Sequence, residues 1–479
     1  MLFSSIIFIC YFIPILLAIY LGTGLRTGVL LLGSVLFYTW GEGAYVFLLA
    51  GLIVLNFFAA KRIVGSVGAV RVAWLVGAVA IDIGTLGIFK YGNFVADIVN
   101  SLAGSQLLGH ARLRLPLGIS FFTFQLISYL ADTYRNRSDI EHSLARFATY
   151  ILMFPHLIAG PIVRYSDIRE ELVSRHNDYD RFGLGLQYFI VGLCQKVLIA
   201  NILAPMADYA FNLPSGDLSG LVAWSGILAY TLQIYFDFCG YSNMAIGLAF
   251  MLGFTFPKNF DHPYASRSIS EFWRRWHMSL SFWFRDYVYI PLGGNRGGQF
   301  ATVRNLLIVF FLTGLWHGAA WNFVFWGLFH GFFLLNERVW LGAQLRRLPS
   351  AIGWLYTILV VMVGWVFFRA DGFAHGARFL ASMFSMSDFS RRLVEFRILV
   401  NPEVLVAYVA GAIFAFPVLS SVLDRAGRAR IIRSPRIAEE RLDTGYVHRL
   451  PVTLLLVGFV LCCALLASTT LNPFLYFRF

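Results

Sequence analysis

Apolar stretches long enough to cross a bilayer recur along this chain, and few charges interrupt them. They lie at about 2–21, 44–60, 72–89, 115–131, 183–201, 221–238, 241–256, 305–335, 351–368, 403–423 and 450–468, with a shorter one at 29–40. A helix needs about 20 residues to cross the hydrocarbon. In lipid each backbone N–H and C=O must be bonded within the protein, so such stretches fold as helices. Composition agrees: 58% of the 479 residues are hydrophobic and 13% are charged, against about 25% charged in a soluble domain. One soluble core cannot hide this much apolar surface, which excludes a conventional soluble enzyme, a disordered chain, a coiled coil and a secreted disulfide scaffold. The expected fold is an all-α polytopic integral membrane protein. It has about 11 transmembrane helices, plus re-entrant and interfacial helices, around a funnel or pore, in a single membrane domain over 1–479. Residues 2–21 follow no basic segment and precede no A-x-A-type cleavage site, so they read as a first span and not a removed signal.

The net charge is +12, and only Lys61, Lys90, Lys196 and Lys258 of the 38 basic residues are lysines, leaving 34 arginines. In a soluble protein this excess would point to nucleic acid. Here the charges sit in short loops between apolar runs, which points to cytoplasmic loops meeting anionic lipid and not to nucleic acid. Arginine also matches phosphate better than lysine does, so some of these residues are candidates for an anionic substrate. Cys10, Cys194, Cys239, Cys462 and Cys463 all lie in apolar runs without CxxC or zinc-like spacing. They read as small hydrophobes, with no redox role and no metal site.

Three stretches break the apolar pattern. Phe154-Pro155-His156 to Gly160-Pro161 interrupts a run with two prolines and a glycine. Irregular backbone at membrane depth is tolerated only inside protein or against a water-filled cavity. Residues 257–304 form a long polar and aromatic region with seven basic and three acidic residues. Residues 305–335 carry His317 and His330 among Gly314, Gly318, Gly327 and Gly331. A separate loop at 424–449, with seven arginines and four acids, is cytoplasmic by the charge rule.

The signatures of soluble catalysis are absent: no GxxxxGK[ST], no GxSxG, no HExxH, and no H-x4-D pair. Chemistry must then come from polar residues at membrane depth, which are functional candidates by default. In Ser268–Ser281, Ser268 and Glu271 fit a capping box, so a helix is expected to start at Ile269. On a continuous helix Trp273, Trp276, Leu280 and Phe284 share one face while Arg274 and Arg275 point away. This describes an interfacial amphipathic helix, read either as an anchor or as a wall of the site with His277 facing a polar path. His317, flanked by glycines that permit close approach, is either a hydrogen-bonded helix-joining residue or a general base, and a pKa of about 6.5 suits the second role. On an unbroken helix His330 lies about 20 Å and about 220° from His317. The preferred pair is therefore His317 with His277, and His330 reads as a structural or supporting residue. His156, Asp237 and Asn243 are further buried polar candidates behind the site. Asp82 and Asp132 read as helix-packing or interface residues.

Taken together these motifs resemble the membrane-bound O-acyltransferase family. The segment NFDHPYASRSISEFWRRWHMSLSFWFRDYVYIPLGGNRGG (Asn259–Gly298) is similar to that family's most diagnostic region. LTGLWHGAAWNFVFWGLFHG (Leu312–Gly331), MFPHLIAGPIVRY (Met153–Tyr165) and LQIYFDFCGYSNMAIGL (Leu232–Leu248) agree with it. The opening segment, LFYTWGE and the ending NPFLYFRF resemble the bacterial polysaccharide-acetylating branch, which contains the membrane subunit of alginate O-acetyltransferase.

The resemblance implies an essential histidine in GLWHG, here His317, and a second in WHMSLS, here His277. It also implies acetyl transfer from cytoplasmic acetyl-CoA, with no bound cofactor, to an exported polysaccharide. Delivery is either direct or through a periplasmic partner protein, at a bacterial inner membrane. The basic residues Arg267, Arg274, Arg275, Arg285 and Arg296 are then candidates for holding the anionic donor, with Arg274, Arg275 and Arg285 foremost. Alternatives are transfer of D-alanine or another acyl group to a cell-envelope polymer, and a non-enzymatic transporter or scaffold.

Overall fold

The computed structural model describes residues 2–111, 113–175, 178–214, 216–385, 400–418 and 450–468. The Arg-rich loop at 424–449 and the NPFLYFRF ending lie outside them. Every regular element among the described residues is a helix. Five are long and apolar enough to cross a membrane: Tyr45–Gly65, Gly68–Ala103, Tyr179–Asn212, Gly298–His317 and Ser350–Arg369. Phe8–Gly22, Pro402–Phe414 and Val452–Ser468 are shorter apolar helices. The chain is a multi-pass, all-α membrane protein.

Three apolar runs divide differently from expectation. The runs at 221–238 and 241–256 do not make two spans, because Gly220–Met251 is one helix of 32 residues. Gly240 is needed there for packing and not as a break, since a Cβ on it would lie 2.6 Å from the Gly192 carbonyl oxygen. Conversely, 305–335 is not one helix. It is Gly298–His317 followed by Trp321–Asn336, with Gly318 and Ala320 extended between them.

Contacts divide the chain into two compact units, Met1–Phe189 with Met244–Pro257, and Ile190–Asn243 with Lys258–Phe479. In the first unit the spans Tyr45–Gly65 and Gly68–Ala103 are joined by a buried bond from Asn56 Nδ2 to Asp82 Oδ1, 2.8 Å. Removing both polar groups from lipid this way is the packing role expected for Asp82. Asp132 lies 3.7 Å from Arg135, one turn along its own helix. The proline-interrupted segment of this unit is irregular, as its sequence requires. Helix Leu144–Leu152 ends at Met153, one turn covers Phe154–Leu157, and the chain stays non-helical to Arg164, buried throughout 153–163. His156 is completely buried and donates from Nε2 to the Tyr150 carbonyl at 2.7 Å.

The second unit holds a buried ion pair, Lys196 Nζ to Asp237 Oδ1 at 2.5 Å, with side chains 1% and 4% exposed. Lys196 sits in a π-helical turn, Gln195–Ala200, inside the long helix. Asn243 donates from Nδ2 to Gln195 Oε1 at 2.7 Å on the same turn. Asp237 and Asn243 thus tie this helix to Gly220–Met251.

The Gly298–His317 and Trp321–Asn336 helices of this unit fold back on each other at backbone distance. A Cβ on Gly314 would lie 2.3 Å from the Phe323 carbonyl oxygen, and one on Gly327 would lie 2.2 Å from that of Phe310. Small residues at such a crossing let helices approach where lipid supplies no hydrophobic drive. Gly327→Ala is therefore expected to force the hairpin apart at a cost of about 1–3 kcal/mol, the usual range for overpacking. A lower melting temperature in detergent would register it, and an unchanged one would contradict this account of the crossing.

Candidate active site

The turn that carries His277 is built by hydrogen bonds from distant segments. Ser268 Oγ accepts the Glu271 N–H at 3.0 Å, so the helix starts at Ile269 as its sequence predicts. The Glu337 carboxylate accepts the Ile269 and Ser270 N–H groups at 2.6 and 2.8 Å, completing the cap with negative charge at the helix's positive end. This helix stops at Arg275, Trp276 is extended, and His277 is left-handed at φ 44, ψ 54 before a new helix, Met278–Phe284. The single amphipathic surface helix expected over this stretch is therefore not formed. Trp273, Trp276, Leu280 and Phe284 are 8%, 3%, 1% and 4% exposed.

The reason lies in the preceding loop. Asn259 takes the Met278 N–H on its backbone oxygen at 2.9 Å, and its Oδ1 takes the Ser279 N–H at 3.3 Å and the Ser279 hydroxyl at 2.9 Å. The first-turn donors of the new helix are satisfied from outside, which holds the chain in two helices. A non-glycine residue at positive φ is uncommon and persists only where its surroundings fix it.

His317 is the last residue of its helix, 6% exposed at the head of the folded-back pair. Its ring lies 4.9 Å from the centroid of Trp326 and 5.2 Å from that of Phe368. Trp316 beside it lies 5.9 Å from His277. The structure thus brings His277 and His317 from separate segments to the same tryptophan. His330 belongs to this cluster as well, 5.1 Å from Trp326 and 5.3 Å from Trp273. The separation expected from a continuous helix is overturned by the break at 318–320, which turns the chain back so that one indole, Trp326, meets both rings.

His277 is completely buried, in contact with Phe238 at 4.7 Å and Phe260 at 6.4 Å, and its Nδ1 lies 3.0 Å from Asn259 Oδ1. Burial pushes its pKa down to about 3, so the ring is neutral at physiological pH. A neutral buried imidazole can accept a hydrogen bond on whichever ring nitrogen carries no proton. His156 lies in the other compact unit. Asp237 and Asn243 belong to the Lys196 crossing.

The arginines separate by partner. Arg275 is committed to Glu271 at 2.8 Å and Asp261 at 3.6 Å. Burial opposes ionisation of Asp261, but Lys258 and Arg275 more than offset this and hold its carboxyl below the usual value. Arg285 pairs with Asp286 at 2.6 Å on the surface. Arg274 instead lines a cavity of about 760 Å³, with Arg267, Arg338 and Arg346 among the other walls. None of these four forms an ion pair among the described residues. The two carboxylates of the cavity, Glu271 and Glu337, are already engaged by the bonds given above. What remains is a lumen with a positive surplus, suited to an anion carrying several phosphates.

Asn259 is the functional candidate that sequence reasoning missed, although it opens the most diagnostic segment. The available signal was an amide between two loop charges, Lys258 and Asp261, upstream of a histidine. The Glu271–Arg275 pair was also readable, because i,i+4 spacing favours it over Arg274.

A family model described as MBOAT, membrane-bound O-acyltransferase family, matches residues 120–374. The chain is 40% identical over 495 residues to a probable alginate O-acetylase of Pseudomonas putida, covering 100% of both chains. It is 44% identical to the corresponding protein of Pseudomonas aeruginosa, over 80% of this chain and 75% of that one. It is 37% identical to a peptidoglycan O-acetyltransferase of Helicobacter pylori, over 75% of this chain and 74% of the relative.

Proposed function

The chain belongs to the membrane-bound O-acyltransferase family and is an O-acyltransferase, and we propose that it moves acetyl from cytoplasmic acetyl-CoA to a hydroxyl of an exported polysaccharide, alginate or a polymer like it. Acetyl-CoA lies on one side of the membrane and the growing polymer on the other, so the transferase must make both reach one site within the bilayer. The setting is a bacterial inner membrane, and the acceptor is met directly or through a periplasmic partner protein. The relatives named above support the acetyl group and the polysaccharide class.

The observation that carries the reading is the meeting of two buried histidines, His277 and His317, at Trp316, inside a wall of aromatic rings. In the proposed reaction His317 takes the proton of the acceptor hydroxyl as its oxygen attacks the thioester carbonyl. A C–O bond forms, the C–S bond breaks, and the CoA thiolate leaves with the proton returned by the imidazolium. His277 holds the acceptor in place through a hydroxyl next to the reacting one. The aromatic surroundings exclude water, which would otherwise compete as acceptor. The donor's phosphates are assigned to the cavity of Arg267, Arg274, Arg338 and Arg346, which shifts that role away from Arg275 and Arg285.

Kinetics test the donor assignment. An Arg274→Gln, Arg346→Gln variant is expected to raise KM for acetyl-CoA about tenfold or more with little change in kcat, as loss of uniform binding does. Arg285→Gln is expected to leave both parameters unchanged. An unaltered KM in the double variant would reject the cavity as the donor site and favour contact of these arginines with lipid headgroups.

A further inference from the structure

We propose that Asn259 is a positioning residue for acyl transfer, holding His277 as its Nδ1–H tautomer so that the Nε2 lone pair faces the acceptor. The proposal rests on the reading of His277 as a working group of the reaction.

The orientation of the Asn259 amide decides the tautomer, and it is fixed by chemistry. The Ser279 backbone N–H can only donate, and the amide atom it meets at 3.3 Å must therefore be the oxygen. The nitrogen then falls 3.0 Å from Ser242 Oγ, which accepts from it. That same oxygen lies 3.0 Å from His277 Nδ1, so the only bond available between them is Nδ1–H donating to Oδ1. A neutral imidazole carries a single N–H, so Nε2 is left with a lone pair.

That lone pair is buried, and Nε2 has no hydrogen-bond partner among the described residues. An unmet buried acceptor costs stability, and each one in a native structure calls for an explanation. A hydroxyl of the polysaccharide next to the reacting one supplies the missing donor and leaves the proton of the reacting hydroxyl to His317. The same tautomer bars neutral His277 from donating to an oxyanion through Nε2, which assigns it to the hydroxyl side of the reaction. Asn259 also takes the Met278 N–H on its backbone oxygen. One loop residue therefore fixes both the left-handed turn at His277 and the proton on its ring.

The groups facing His277 are Asn259 and Phe260 from the loop, Phe238 from Gly220–Met251, Trp316 from Gly298–His317 and Ser279 from its own helix. None is charged, so a charge introduced at 259 has no competitor among them. Asn259→Asp preserves the shape. One carboxylate oxygen still accepts from His277 and Ser279, and the Ser242 hydroxyl can rotate to donate to the other. The new anion favours the imidazolium, so neutral His277 is lost at higher pH than before. The acid limb of the rate profile is expected to move up by about one to three pH units.

Asn259→Leu, which removes the acceptor, is expected to lower the rate about 10²-fold. In full-length protein labelled with ¹⁵N-histidine, the wild-type His277 signal, assigned with His277→Gln, is expected to show the proton on Nδ1. A proton on Nε2 in the wild type overturns the proposal whatever the activity, and so does an unmoved acid limb in folded Asn259→Asp protein. A wild-type rate in His277→Gln overturns the underlying reading of His277, and with it the positioning role, while the nitrogen spectrum still reports the tautomer separately.

Discussion

Replacing His317 with alanine is expected to abolish acetylation of the polymer while the protein stays in the membrane at normal levels. A general base typically contributes about 10²–10⁴-fold to a rate, and the proposed reaction gives that role to His317. It ends its helix at the head of the hairpin, within ring contact of Trp326 and Phe368 and next to the Trp316 that meets His277. Alanine also leaves a gap among these rings, so His317→Gln serves as the volume-matched companion. Both variants are expected to be inactive, and His317→Gln to keep the wild-type melting temperature within a few degrees. Normal acetyl content of the polymer with either variant would remove His317 from the mechanism.

The largest expected effect on folding is at Asp237. Lys196 and Asp237 face each other inside the helical core, both nearly inaccessible. Asp237→Ala strands an ammonium away from water, and breaking a buried pair in this way costs about 3–5 kcal/mol. Little folded, monodisperse protein is expected after extraction in detergent. Replacing both partners with apolar residues, Lys196→Met with Asp237→Leu, is expected to restore folding because no charge is left buried. The restored variant is also expected to acetylate, since the proposed reaction uses neither residue. A stable Asp237→Ala protein would contradict the account, and a folded but inactive double variant would move the pair into the reaction.

The sequence carried the membrane class, the capped start at Ile269, the buried irregular segment around His156 and the pairing of His277 with His317, which meet at Trp316. Each of these depends on local pattern: apolar length, a Ser268–Glu271 spacing, prolines, and motif. What it did not carry depends on contacts between distant residues. The break between Trp276 and His277 is imposed by Asn259, some 18 positions away along the chain. The fold-back at Gly318 was hidden because glycines at 314, 318, 327 and 331 fit a helix-packing face as well as a hairpin crossing. Only the approach of Gly314 and Gly327 to the facing carbonyls distinguishes the two. That misreading sent His330 to the far end of a helix, when the chain returns it to the Trp326 that His317 also touches. Lys196 and Asp237 were each visible as a charge in an apolar run. Opposite charges at such depth are expected to pair, and reading the two runs jointly would have found them.

The most direct test of the account is acetyl transfer by purified protein in proteoliposomes, with acetyl-CoA labelled in its acetyl group and a polysaccharide acceptor supplied with any periplasmic partner. Release of CoA together with ester-linked label on the polymer is expected, dependent on acceptor and lost with His317→Gln. Label that never reaches the polymer, or transfer that proceeds equally without His317, would contradict it.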